Sequence, residues 1–165
     1  MNENYMVKIF EHNNWANLET IQTCAGLSDE QLDSNPQSAT LGSIRQTLIH
    51  LVSAQQGYLS LLTLPVVKRH DVTPEFANLR ESARISGKAL LALLKDESDK
   101  ISKGKLQTKN GYHVEPWVIL LQAINHATEH REQINSMLSA LQLPHPDLDG
   151  WTYGKFVQAL IPISK

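Results

Sequence analysis

Apolar residues recur every three to four positions along four long stretches of this chain, and the breaks between the stretches are short and well marked. The first stretch runs from about Asn2 to Ala25, with Met6, Ile9, Phe10, Leu18 and Ile21 on its stripe, and stops at Gly26. Ser28 and Gln31 then have capping-box spacing for a brief helical turn before Asn35-Pro36. The second begins near Thr40 or Leu41 and is stopped by Pro65; Ile44, Leu48, Leu51, Tyr58 and Leu62 form its stripe. The third opens with Thr73 as N-cap and Pro74 at the first helical position, and continues through Leu79, Ala83, Leu90 and Leu94 to about Ser98. Pro116 opens the fourth, which carries Trp117, Leu120, Leu121, Ile124, Ile134, Leu138 and Leu141 and ends before Pro144. A last short segment, Tyr153 to about Ile163, adds Phe156, Val157 and Leu160. Four long amphipathic helices with short connections bury their stripes most simply as an all-α, antiparallel four-helix bundle. Between the third and fourth, Lys109-Asn110-Gly111 flanked by short polar-apolar runs predicts a β-hairpin. With 165 residues and no internal repeat, a single domain over 1–165 is expected.

Several function classes are excluded by composition. A net charge of −2 and a pI near 6.4 provide no electrostatic footprint for nucleic acid or an anionic membrane. No apolar run approaches the roughly 20 residues of a membrane span, and the N-terminus lacks the basic-then-apolar order of a secretory signal. One cysteine, Cys24, allows no internal disulfide; it reads as a packed thiol, and a cytoplasmic protein is expected.

The chemistry resides in the histidines. His126 and His130 stand one helical turn apart, so their rings lie on one helix face, about 6 Å apart along the axis. Two such imidazoles can converge on one metal ion at roughly 2.0–2.1 Å per bond. They belong to a stripe with Ala123, Ile134 and Met137, which points them inward. His50, on the second helix, lies on a strip with Thr47, Ala54 and Gly57, whose small side chains leave space for a substrate. Were the two helices to pack with these faces together, three imidazoles would hold a metal with positions left open. His12 is less suited, and His70, His113 and His145 read as solvated loop residues. Gln46, one turn before His50, and Glu129 are the candidates for accepting the outer ring N–H of a ligating imidazole. Trp15 and Tyr58 read equally as packing residues or pocket walls. His126-Ala-Thr-Glu-His130 also matches the inverted zinc-protease pattern H-x-x-E-H. That motif requires a downstream carboxylate ligand, and Glu132 is too close along the helix to serve.

The ordered set of these pieces resembles the DinB (YfiT-like) superfamily. The matching segments are Asn13-Asn14-Trp15-Ala16-Asn17, Ser43 to His50, Asn125 to Ile134, and Pro146-Asp147-Leu148-Asp149. The resemblance implies a bundle of up-down-down-up order, often a homodimer. It implies a divalent metal, zinc or nickel, held by His50, His126 and His130. It further implies activation of a low-molecular-weight thiol such as bacillithiol or mycothiol toward an electrophile. Glu132 departs from the glycine common in relatives, which narrows the local surface but spares the ligands. A metal-dependent thiol transferase is thus the leading expectation. A metal-dependent hydrolase, a non-catalytic stress-related protein binding a metal or ligand, and a metal-free scaffold are the alternatives.

Overall fold

The computed structural model describes residues 4–36, 42–95 and 105–163. Six α-helices, two 3₁₀ turns and one two-stranded hairpin are formed by these residues, so the protein is all-α. Helix α1 (Tyr5–Cys24) starts on Asn4, whose side chain accepts from the backbone N–H groups of Met6 and Val7. The short α2 (Asp29–Asp33) opens with the expected Ser28/Gln31 capping box. Helix α3 (Ile44–Thr63) opens with a second box, Ser43/Gln46, and stops ahead of Pro65. Arg45 ties the first turn of α3 to both ends of α2 through ion pairs to Asp33 (2.6 Å) and Asp29. Residues Thr40 and Leu41, the expected start of this helix, lie outside the described residues.

Helix α4 (Leu79–Lys95) begins later than Thr73-Pro74 predicts. Residues 69–75 are non-helical, and a 3₁₀ turn, Phe76–Asn78, intervenes. Two tethers account for the delay. Ser53 Oγ on α3 holds the Val72 carbonyl, and the Phe76 ring lies under the Arg45 guanidinium at 4.6 Å. The chain must stay extended to reach both before it can wind. The expected end near Ser98 lies outside the described residues.

The hairpin pairs β1 (Leu106–Gln107) with β2 (His113–Val114) in antiparallel register, Leu106 opposite Val114. Gly111, at φ +88°, supplies the positive φ that its turn demands. Arg69 pins this hairpin to the end of α3: its guanidinium donates to the carbonyls of Leu61, Leu64 and Gln107. Helix α5 (Pro116–Ala140) has proline in its first turn as expected. The last helix, α6 (Gly150–Phe156), starts earlier and ends sooner than Tyr153–Ile163. Asp149 caps it by accepting from Thr152 N at 2.7 Å, and Gln158 at φ +57° follows its end.

Helix α3 packs against α5 and α4, while α1 packs against α4 and α5. At one end Cys24, Ile44, Leu48, Ile134 and Leu138 are fully enclosed; at the other, Phe10, Leu62 and Leu90. Each such side chain contributes roughly 1.5–3 kcal/mol by burial. Burial pushes the Cys24 thiol up to about 12, so it is a packing residue and not a thiolate.

The inner face of α1 differs from its predicted stripe. Met6 and Ile9 are exposed, whereas Asn13 and Asn17 are each 2 % exposed. Both asparagines face Arg131 of α5, itself 3 % exposed. Arg131 Nη1 donates to Asn13 Oδ1 at 2.7 Å and to Asn17 Oδ1 at 2.6 Å, and Nη2 donates to Thr128 Oγ1 at 2.9 Å. Asn17 Nδ2 passes a hydrogen bond to Gln55 Oε1 on α3 (2.8 Å), and Gln55 Nε2 donates to Ala83 O (2.9 Å) and Ser86 Oγ (2.6 Å) on α4. One buried polar chain therefore crosses all four long helices. Burial lowers Arg131 to about 10, with Glu132 opposing, which leaves it charged at neutral pH.

Candidate metal centre

The close packing of α3 on α5 brings together the histidines that the sequence places on those helices. His50 Nε2 is 3.2 Å from His126 Nε2, and His130 Nε2 is 3.1 Å from the same atom. The ring centroids lie 4.3–5.0 Å apart, and His130 stands nearly perpendicular to both neighbours. Among the described residues, these are the metal-ligating side chains that gather in a group of three. His130 is buried, His126 half-buried and His50 exposed, so the cluster opens to solvent on the α3 side.

The donor set fits a divalent ion. Two nitrogens bound to one tetrahedral ion at roughly 2.0–2.1 Å lie about 3.3–3.4 Å apart, close to the spacing found. Without an ion the arrangement is poorly satisfied. His126 Nε2 has either one proton or one lone pair, yet it faces two other Nε2 atoms. A cation at the centre would accept all three lone pairs at once. Gln133 suits this state: its Oε1 lies 2.7 Å from His130 Nδ1, and an amide oxygen there matches the tautomer with the proton on Nδ1 and the lone pair on Nε2. Burial, then the neighbouring His130, lowers His50, and the same causes take His126 down to about 4. Both rings are neutral at pH 7, the form a metal requires. Replacing Gln133 with leucine removes that acceptor without touching a ligand. Metal affinity should fall roughly 10–100-fold, read by competition with a chromophoric chelator; an unchanged affinity would assign Gln133 to the surface alone.

Gln133 takes the role the sequence suggests for Gln46 or Glu129. Gln46 Oε1 instead accepts from Ser43 N at 3.2 Å within the capping box. Glu129 is exposed, and only its charge reaches His126. His12 lies elsewhere, its Nε2 2.7 Å from the Leu148 carbonyl and its ring against Tyr153. Trp15 packs there too, on Tyr153 and Phe156, and is no part of the site. His113 and His145 are exposed, as expected of loop-side residues. Thr47 is buried, with its hydroxyl on the Ser43 carbonyl, so it opens no space. Glu132 is exposed and borders a separate cleft beside Arg131.

Beside the histidines lies a cavity of about 410 Å³ with His50 and His126 in its wall. Ala54 and Gly57 form part of the lining, as their size suggests, together with Tyr58 and Leu61. The Tyr58 ring sits edge-on to His126 at 5.8 Å, and burial raises its phenol above the ordinary range. Arg69, His70, Asp71 and Lys109 stand at the polar part of the same lining, contributed by the segment after α3 and by the hairpin.

Fold and site together define a helical bundle with three imidazoles converging between two facing helices beside an open cavity. A sequence model of the DinB family matches residues 1–156, and the chain belongs to that family. A crystal structure of a protein from Exiguobacterium sibiricum 255-15, described as of the DinB family, superposes with a TM-score of 0.69. It is 18 % identical in sequence, over 90 % of this chain and 100 % of the other, and the likeness speaks to the fold. No match was found among curated proteins. No described helix is long and apolar enough to cross a membrane.

Proposed function

We propose that the protein is a divalent-metal-dependent enzyme that transfers a small thiol to an electrophile, with His50, His126 and His130 as the ligands of zinc or nickel. The observation that carries this reading is the convergence of three Nε2 atoms on one point at the wall of an open cavity. Three neutral imidazoles leave the charge of a bound ion uncompensated, and such an ion lowers the pKa of a thiol or water brought to it. The chain's residues do the rest. Gln133 fixes the His130 tautomer, Ala54 and Gly57 leave room at the ligands, and Tyr58 and Leu61 offer an apolar wall that limits water. The open cavity favours turnover over sequestration, since a storage site gains by enclosing its ion.

The chain also exposes Tyr5, Trp151, Phe156 and Ile161, and such apolar surface supports a homodimer as the working assembly. To test the catalytic reading, the zinc- or nickel-loaded protein is mixed with a panel of low-molecular-weight thiols and an alkyl or aryl halide. Conjugate formation that depends on metal and thiol, followed by mass spectrometry, is the expected result. Metal-dependent hydrolysis of esters or amides, with no thiol dependence, would replace the transferase by a hydrolase.

A further inference from the structure

The charge distribution around the cavity is uneven. Tyr58, Leu61, Ala54 and Gly57 make an apolar lining next to the histidines. Arg69 and Lys109 contribute two cations, and Asp71 is the one carboxylate among the described lining residues. Arg69 has its guanidinium on three backbone carbonyls, and among the described residues no carboxylate is hydrogen-bonded to it. Lys109 Nζ is 2.8 Å from Asp71 Oδ1, with the two side chains 51 % and 96 % exposed. A pair so exposed to water contributes little to stability, and an incoming group can displace it readily.

We infer that the substrate accepted by this cavity is a short amphipathic carboxylate, whose apolar body lies along Ala54, Gly57 and Leu61 and whose acid group is taken by Lys109 and Arg69. Asp71 is the internal surrogate: it presents to Lys109 the same functional group that the substrate brings. Recognition is an exchange of one carboxylate for another, with no bond made or broken. Arg69 has a double part, since it also pins the hairpin that carries Lys109 against the end of α3. The position of Lys109 beside an Asn-Gly turn therefore matters for specificity, not merely for solubility.

This inference rests on the metal reading above, and the test separates the two. The cobalt(II)-loaded protein is titrated with mercaptohexanoate, mercaptohexanol and mercaptohexylamine, which share a thiol and a chain length and differ in the distal charge. Binding is followed by sulfur-to-cobalt absorption. The acid is expected to bind about tenfold more tightly than the alcohol, and the amine more weakly than either. Lys109→Gln should erase most of the preference for the acid. Asp71→Asn should strengthen it a few-fold while leaving the alcohol unchanged, a gain that damage to the fold would not produce. Three thiols bound alike, or a preference untouched by both substitutions, overturns the inference and leaves the metal site standing. Failure to take up cobalt overturns the metal reading and this inference with it.

Discussion

Replacing His126 with alanine is expected to reduce the metal content of the purified protein from about one ion per chain to background. His126 is the vertex of the cluster, since its Nε2 lies within 3.2 Å of both other ligand nitrogens. Without it, His50 and His130 remain on separate helices with no third nitrogen between them. Loss of an outer hydrogen-bond partner alone costs metal sites roughly 10–100-fold in affinity, so loss of a ligand should exceed about 100-fold. Elemental mass spectrometry on untagged protein reads the stoichiometry. Thermal unfolding supplies a second measure: an ion at a thousand times its Kd adds about 4 kcal/mol to the wild type, an increment the variant should lack. The alanine variant should still fold, because His126 is only half-buried and no enclosed core residue is removed. A variant that retains one ion per chain, or a wild type that refuses zinc and nickel after reconstitution, would reduce the histidines to polar lining of a cavity.

The helices and the three histidines were legible because each rests on local spacing. Heptad-like apolar stripes predict long helices, and a separation of four residues puts His126 and His130 on one face wherever that helix packs. What local spacing does not carry is the identity of a partner far along the chain. Asn13 and Asn17 carry no spacing signal of burial, since the stripe read on this helix is Met6, Ile9, Phe10, Leu18 and Ile21. They are buried because Arg131, 114 residues from Asn17, requires neutral acceptors inside the bundle. Gln133 presents the opposite case. It lies three residues after His130 and was within reach of the same helical argument, but Gln46 and Glu129 have equally suitable spacing. Gln46 was already committed by Ser43 three residues before it, a capping-box pattern visible in the sequence. The late start of α4 depends on tethers from α3, which no reading of Thr73-Pro74 contains.

The buried chain from Arg131 through Asn17 and Gln55 to Ser86 sets the second large expectation. Asn17→Leu should destabilise the protein by about 3 kcal/mol, measured by chemical denaturation at pH 7. The leucine removes a charge-assisted hydrogen bond worth roughly 1.5–3 kcal/mol and leaves Gln55 Oε1 without its donor, a further cost of roughly 1–3 kcal/mol. Added apolar burial offsets only part of that, on the order of 1–2 kcal/mol. The sign of the second step distinguishes a network from simple packing. Combined with Arg131→Met, the same leucine should cost less than it does alone, because the buried charge that needed Asn17 is gone. A coupling above about 1 kcal/mol in that double-mutant cycle is expected. Asn17→Leu within about 0.5 kcal/mol of wild type would mean the arginine finds other acceptors. If the chain instead behaves as expected, the helices bearing His50 and His130 are held in register by polar contacts that pass through α1, remote from the metal centre itself. Apolar burial is non-directional. The hydrogen bonds of Arg131 to both Asn13 and Asn17 are directional, and three imidazoles that must meet at one point depend on the register those bonds define.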